Sequence, residues 1–163
     1  MADLVDIPEL NPPKPTNSPL PTSMDSFNDT DVALCNVKQH ARYRSMIGSL
    51  LWLATWTRPD ISYAVGILSR KLHAPTINHY NLAIRVFRYL SHTKEYGITY
   101  RQSAGLQVQT FMHSQESSAF PPTVPLLYAY ADASFADCID SRRSTSGWLI
   151  ILSGGVVAWL SKR

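Results

Sequence analysis

A helical repeat of apolar residues that begins at Tyr43 constrains the fold more than any other feature of this chain. Apolar side chains recur there at spacings of three and four residues, which places them on one face because an α-helix turns once in about 3.6 residues. Such a face is stable only against a partner, so the pattern predicts a helix packed into a core. The residues of the predicted face are Tyr43, Met46, Ile47, Leu50, Leu51 and Ala54.

Two further helices are predicted after the first. The stretch "TWTRPD" breaks the pattern. Thr57 is the candidate N-cap of the second helix, and Pro59 lies in the first turn of that helix, where its missing N–H is not needed. The second helix has an apolar stripe of Ile61, Val65, Leu68 and Leu72 and ends at "HAP", residues 73–75. The third runs from about Asn78 to Thr93, with Tyr80, Ala83, Ile84, Phe87 and Leu90 on its apolar face and Asn81, Arg85, Arg88 and His92 on its exposed face.

Strands are predicted after Gly97, where the period of apolar residues changes to two. The predicted strands are "ITYR" at 98–101, "LQVQTFM" at 106–112, "LLYAYAD" at 126–132, and two more at about 146–152 and 156–160. The last two are joined by "SGG", whose glycines permit the positive φ of a tight hairpin. The sequence therefore predicts an α+β chain, with helices first and antiparallel strands after them.

Four regions follow from these patterns. Residues 1–37 are predicted to be a Pro-rich, acidic and largely disordered linker, because six of the eleven prolines lie within the first 21 residues and proline removes backbone donors. Residues 38–96 form the three-helix segment and 97–125 the first strands with their loop. Residues 126–163 form the last three strands.

The net charge of +3 conceals a strongly basic middle region. Residues 38–101 contain ten Lys and Arg and two acids, whereas residues 1–37 contain one base and six acids. A local excess of this size attracts polyanions because phosphate binding follows local counterion release. The alternative is an ordinary solvated helix face. The candidate nucleic-acid contacts are Arg70, Lys71, Arg85, Arg88 and Lys94.

Two tryptophans could also serve nucleic-acid binding. Trp52 and Trp56 are four residues apart and so could stack on bases, but a role in the core or in helix packing is the favoured interpretation. Ser45, Gly48 and Ser49 leave the face beside Trp52 small, which would let a neighbouring helix approach closely.

No apolar run is long enough to span a bilayer, and the chain start lacks the basic and apolar parts of a signal peptide. We therefore expect an intracellular protein, cytoplasmic or nuclear, without a membrane partner. Cys35 and Cys138 lack the paired spacing of a disulfide framework or a metal knuckle and are predicted to be free thiols.

Five motifs in a fixed order carry a family resemblance: "YRSMIGSLLWLA", "TRPDISYAV", "RVFRYLSHT", "YGITY" and "RRSTSG". The sequence resembles the Pol polyproteins of copia-type LTR retrotransposons from about Pro12 to Arg163. The resemblance implies a piece from the junction of reverse transcriptase and ribonuclease H. Its helices would belong to the thumb or connection region, and the strands after Leu126 would open an incomplete ribonuclease H-like fold.

The resemblance also implies a role for Asp132, which matches the family's first metal-ligand aspartate in "YADAS". Ribonuclease H chemistry uses two divalent ions, Mg²⁺ or Mn²⁺, held by several carboxylates, so one aspartate contributes to a site but cannot form it. The other acidic ligands are expected beyond Arg163. The favoured interpretation of Asp137 and Asp140 is a solvated turn with Arg142 or Arg143.

Two functions remain open from the sequence. The first is a polyprotein fragment that serves reverse transcription and RNA-strand degradation, inactive alone, with an RNA/DNA hybrid or nucleic-acid duplex and the remainder of Pol as partners. The second is a non-catalytic nucleic-acid-binding module that uses the basic helices.

Overall fold

The structure is a computed structural model that describes residues 16–21, 33–100, 127–135 and 143–163. The chain divides into two compact units, Met1–Tyr96 and Gly97–Arg163, called here the helical unit and the sheet unit. The helices of the first and the antiparallel sheet of the second give the predicted α+β composition. No helix among the described residues is both long and apolar enough to cross a membrane.

The first helix, α1, spans Val37–Trp56. Asn36 caps it: its side chain accepts a hydrogen bond from the Gln39 amide at 2.9 Å, and the Gln39 side chain accepts one from the Asn36 amide at 3.0 Å. This reciprocal capping box satisfies two backbone donors that the helix start would leave unpaired. The buried face is the predicted one except for Leu51, which is 40% exposed. The buried residues are Tyr43, Met46, Ile47, Leu50 and Ala54.

A short 3-10 helix, Pro59–Ile61, leads into α2, Ser62–Ser69. The predicted stripe is confirmed, because Ile61, Val65 and Leu68 are fully buried and Leu72 is partly buried against the core. The predicted N-cap is wrong. Thr57 instead ends α1, with its amide bonded to the Leu53 carbonyl at 3.0 Å.

The third helix, α3, spans Ile77–His92 and is capped by Thr76, whose side chain accepts from the His79 amide. It buries a wider arc than the predicted face. The helix packs against both α1 and α2. The buried residues are His79, Tyr80, Leu82, Ala83, Ile84, Val86 and Tyr89, and Phe87 and Leu90 are partly buried.

Two pieces of the predicted linker lie against the helical unit. Leu20 packs on the core. The backbone of residues 33–35 bonds to the chain around the start of α3, through Cys35 N–H to Pro75 O (2.9 Å) and Ile77 N–H to Ala33 O (3.0 Å). Residues 1–15 and 22–32 of that predicted linker lie outside the described residues.

The sheet unit contains three antiparallel strands in the order β1–β2–β3. They span Leu127–Ser134, Thr145–Leu152 and Gly155–Lys162, in agreement with the last three predicted strands. Residues 98–100 of the predicted strand "ITYR" are not in a strand, so that prediction is wrong for the part the structure describes. Its last residue and the predicted strand at 106–112 lie outside the described residues.

A two-residue turn joins β2 to β3. Ser153 and Gly154 both have positive φ, 49° and 78°, between the paired residues Leu152 and Gly155. Positive φ at both central residues is the requirement of the type I′ turn, whose twist matches that of a hairpin. The "SGG" prediction is therefore confirmed, although one of the two positive-φ positions is a serine.

Candidate nucleic-acid and metal-binding residues

The described part of the helical unit is strongly basic. Residues 33–96 contain two acids in the sequence, Asp60 and Glu95. Asp60 is neutralised by Arg58, with Nη2 to Oδ2 at 2.7 Å. Glu95 is the remaining acid against eight other Lys and Arg in the same range, so these residues carry an excess of positive charge.

Arg58 is the centre of a hydrogen-bond network that joins the start of α2 to the end of α3. Its Nε and Nη2 donate to the two oxygens of Asp60 at 2.9 and 2.7 Å. The same guanidinium donates to the Thr93 carbonyl at 3.1 Å and to its hydroxyl at 2.7 Å. The Tyr89 hydroxyl donates to Asp60 at 2.8 Å. Arg58 is therefore structural, and its charge is not available to a ligand.

The pKa values of this network follow from its geometry. Burial alone would raise the pKa of Asp60, but the hydrogen bonds from Arg58 and Tyr89 and the positive charge of Arg58 together lower it below its ordinary value. The hydrogen bond to Asp60 raises the pKa of Arg58. Burial, and then the bond to Asp60, raise the pKa of the Tyr89 phenol. Sequence reasoning treated "TWTRPD" only as a helix break and missed this network; the signal was the Arg and Asp two residues apart beside a proline.

Arg70 and Lys71 lie at the C-terminal end of α2, with Arg70 as the C-cap. Two hydrogen bonds hold this end of α2 against α1: Tyr43 Oη donates to the Leu68 carbonyl at 2.8 Å, and His40 Nε2 lies 2.8 Å from the Leu72 carbonyl. The N-terminal half of α1 carries three further basic residues that were not among the predicted contacts, Lys38, Arg42 and Arg44. Their signal was present in the basic composition of the region.

Arg85 and Arg88 lie one turn apart on α3, on the predicted side, and both are half-buried. Arg85 Nη2 donates to the Ser18 hydroxyl at 3.2 Å, so residues 16–21 cover part of this side of α3. Lys94 is exposed, two residues after the end of α3. The predicted contacts therefore fall at two places, the end of α2 and the outer side and end of α3.

Asp132 is exposed on β1, opposite Gly147 of β2. It shares one face of the strand with Tyr128 and Tyr130, because side chains two residues apart point the same way. Its Oδ1 accepts a hydrogen bond from the Ala133 amide at 2.8 Å. Among the described residues, no three His, Cys, Asp or Glu side chains are grouped so that they could hold a metal ion. Asp132 thus offers a single carboxylate ligand.

Trp52 and Trp56 are 56% and 66% exposed, so neither belongs to the core. The favoured sequence interpretation is wrong in that respect. Both lie on the side of α1 opposite its buried residues. They share this side with the exposed Lys38, which precedes them by about four and five helical turns of 3.6 residues.

Known proteins similar to this chain were found by sequence. The chain is 33% identical over 92% of its length to an uncharacterized mitochondrial protein of Arabidopsis thaliana, and spans 52% of that protein. It is 34% identical, over 92% of its length, to the retrovirus-related Pol polyprotein from transposon RE2 of the same plant, and spans 9% of it. It is 34% identical, over 74% of its length, to the retrovirus-related Pol polyprotein from transposon TNT 1-94 of Nicotiana tabacum, and spans 8% of it. The chain thus spans about half of the first relative and a small part of each polyprotein. No family model and no solved structure matches it.

Proposed function

This chain belongs to the family of retrotransposon Pol polyproteins, and from that premise we propose that it serves reverse transcription in a copia-type element. The helical unit, as a thumb or connection segment, contacts the RNA/DNA hybrid. The sheet unit contributes one ligand to a ribonuclease H site. The chain acts together with the remainder of the Pol polyprotein.

The charge of the helical unit carries this proposal. The residues of this unit that the structure describes include few Asp and Glu, and Asp60 is already paired with Arg58. The remaining basic residues lie at the protein surface or half-buried, where they can approach phosphates. Such binding releases counterions from the nucleic acid and therefore weakens steeply as salt increases. The proposed contacts are Arg70, Lys71, Arg85, Arg88 and Lys94.

The role of Asp132 is limited by the residues around it. Asp132 is exposed on β1. One of its carboxylate oxygens accepts the bond from Ala133, and the other is open to a cation. Mg²⁺ and Mn²⁺ require several oxygen ligands, which the described residues do not supply, so these residues alone do not fit a metal centre. In the proposal, Asp132 becomes a ligand when other carboxylates of Pol are brought beside it.

Binding of a labelled RNA/DNA hybrid at several salt concentrations tests the proposal. We expect the logarithm of the binding constant to fall linearly with the logarithm of salt concentration. The double variant Arg70→Gln/Lys71→Gln should weaken binding and reduce the slope by about one for each phosphate that is no longer neutralised. Lys162→Gln removes the same type of charge from the end of β3 and is the matched control, with binding unchanged.

The proposal fails if the unmodified chain does not bind the hybrid at low salt, or if binding is insensitive to salt. It also fails if Lys162→Gln weakens binding as much as the removal of Arg70 and Lys71 does. Circular dichroism of each variant shows whether weaker binding comes from unfolding.

A further inference from the structure

One serine of residues 16–21, called here the covering segment, lies against an arginine of α3. Arg85 Nη2 donates to the Ser18 hydroxyl at 3.2 Å. The same hydroxyl donates to the Leu20 carbonyl at 2.6 Å, and Leu20 packs against the apolar core. The Ser18 side chain is therefore held beside a guanidinium by its own local turn and by the burial of its neighbour.

The contact with Ser18 uses only part of the Arg85 guanidinium. Arg85 Nε is buried and has no hydrogen-bond partner among the described residues. Nε and Nη2 lie on one edge of the planar group, a geometry that suits two oxygens of a carboxylate or phosphate. Arg58 shows this use in the same unit, because its Nε and Nη2 hold the two oxygens of Asp60 at 2.9 and 2.7 Å. A phosphate at Ser18 would engage both donors of Arg85, whereas the hydroxyl engages one.

The charges around Ser18 favour a negative group at this position. Arg88 lies one turn beyond Arg85 on the same side of α3. Neither residues 16–21 nor residues 77–94 contain an Asp or Glu. A phosphate here would therefore lie beside positive side chains, without a carboxylate of either segment to repel it.

The sequence at Ser18 is that of a kinase substrate. Ser18 precedes Pro19, and this is the only place in the chain where proline follows a serine or threonine. A Ser-Pro pair is the dipeptide that proline-directed protein kinases modify. Ser18 is half-buried, so the covering segment must lift from α3 to enter a kinase. Because residues 16–21 form neither helix nor strand, this movement breaks no bond of regular secondary structure.

We propose that Ser18 is a phosphorylation site whose phosphate binds the Nε–Nη2 edge of Arg85. A proline-directed protein kinase transfers the γ-phosphoryl group of ATP to Ser18. A bond forms between Ser18 Oγ and the γ-phosphorus, the bond from that phosphorus to the β–γ bridging oxygen breaks, and ADP leaves. The hydroxyl proton passes to a base of the kinase. The product carries three acceptor oxygens and a charge of about −1.5 to −2 at neutral pH.

The phosphate changes the contacts that hold the covering segment. Phosphoserine has no hydroxyl proton, so the bond from Ser18 to the Leu20 carbonyl is lost. Two charge-assisted bonds with Arg85 replace it, and each is about twice as strong as a neutral bond. The covering segment should therefore bind α3 more firmly after phosphorylation.

Phosphorylation of Ser18 would also weaken hybrid binding, a consequence that rests on the proposed function. Arg85 is one of the proposed nucleic-acid contacts. A guanidinium that holds the Ser18 phosphate no longer neutralises a phosphate of the hybrid, and the added negative charge repels the nucleic acid. The same arginine would thus bind either the chain's own phosphate or that of the hybrid.

The first experiment tests the site without nucleic acid. The full chain is treated with ATP and a protein kinase of the mitogen-activated class, and mass spectrometry locates the phosphate. We expect one phosphate, at Ser18, and none at this residue in Ser18→Ala or Pro19→Ala. Phosphorylation should raise the thermal midpoint of the helical circular dichroism signal by a few degrees. The rise should vanish in Arg85→Gln and persist in Arg44→Gln, the matched control that removes an exposed arginine of α1.

The second experiment compares hybrid binding by the phosphorylated and untreated chains over a salt series. The loss of one phosphate contact should reduce the salt slope by about 0.9. At about 0.1 M salt this corresponds to roughly eightfold weaker binding, relative to equal binding at about 1 M. In Arg85→Gln, phosphorylation should change the slope less than it does in the unmodified chain.

Each result decides a separate part of the inference. Absence of phosphate at Ser18 after kinase treatment overturns the site. A thermal midpoint that falls on phosphorylation, or that rises equally in Arg85→Gln, overturns the contact with Arg85. Unchanged hybrid binding by a phosphorylated chain with the raised midpoint overturns only the effect on nucleic acid. If the untreated chain binds no hybrid, the proposed function fails, and the midpoints alone decide the site.

Discussion

Tyr89 on α3 donates a hydrogen bond of 2.8 Å to the carboxylate of Asp60, in the 3-10 helix that precedes α2. Arg58 holds the same carboxylate through two bonds and reaches across to Thr93 at the end of α3. The two helices are thus joined by a polar network beside the apolar core. The ring of Tyr89 also lies 5.6 Å from the Arg58 guanidinium, within the range of a cation–π contact.

Removal of Arg58 should destabilise the helical unit more than removal of the Tyr89 hydroxyl. The Arg58 side chain is 9% exposed, and Arg58→Ala would remove two hydrogen bonds from Asp60, which keeps its bond from Tyr89, and one from the Thr93 carbonyl. We expect Arg58→Ala to lower the free energy of unfolding by about 2–4 kcal/mol, below the full cost of breaking a buried pair because Asp60 is partly exposed. Tyr89→Phe should cost about 1 kcal/mol. Urea unfolding, followed by the circular dichroism signal of the helices, measures both changes. Equal effects of the two substitutions would contradict the role of Arg58 as the centre of the network.

Stability should decrease at acid pH through Asp60. The pKa of Asp60 is lowered by folding, so its contribution is fully present above the ordinary value of 3.8 and is lost as pH falls through the lower folded value. Unfolding midpoints measured from pH 6 down to pH 2 should therefore decrease less steeply in Asp60→Asn, which starts from a lower stability. An identical slope in the variant would show that other carboxylates cause the decrease at acid pH.

The N-cap of α1 should contribute about 1 kcal/mol to the free energy of unfolding. Asn36→Ala removes the oxygen that accepts the Gln39 amide, whereas Asn36→Asp keeps an acceptor and places a negative charge at the helix start. We expect the alanine variant to lower the thermal midpoint and the aspartate variant to match or exceed the unmodified chain. A drop of equal size in both variants would argue against the capping bond.

One substitution in the turn between β2 and β3 should stabilise the sheet unit. Ser153 has a φ of 49°, a conformation that costs most residues about 1 kcal/mol and that asparagine adopts more readily. Ser153→Asn should therefore raise the unfolding free energy of the sheet unit by a few tenths to about 1 kcal/mol. Gly154→Val is the opposing variant and should destabilise it. Hydrogen exchange of the β2 and β3 amides measures the change in this unit.

The sequence predicted the buried face of a helix well where its apolar residues keep a single helical period. The buried face of α1 followed from Tyr43 to Ala54, and only Leu51 differs, since eight residues advance it about 80° from Tyr43 and bring it to the edge of the buried arc. For α3 the single predicted face missed His79, Leu82, Val86 and Tyr89, because the buried arc of this helix is wider than one stripe.

The candidate site was less accessible to sequence reasoning. The basic composition indicated the region of the proposed contacts, but the bonds from Arg58 to Thr93 and from Arg85 to Ser18 join residues 35 and 67 positions apart along the chain. Such tertiary pairs leave no local pattern in the sequence. The exposure of Trp52 and Trp56 could not be predicted from spacing either, since aromatic residues four apart suit a core as well as a ligand.

The proposed function depends most on Asp132 being one ligand of a site that needs the rest of Pol. The direct measurement is incubation of the chain with a labelled RNA/DNA hybrid and Mg²⁺ or Mn²⁺, with bound and cleaved hybrid measured in the same samples. Asp132→Asn is carried beside it. We predict that both proteins bind the hybrid and that neither cuts its RNA strand. Metal-dependent cleavage by the unmodified chain that disappears in Asp132→Asn would show a complete site within these residues and contradict the account.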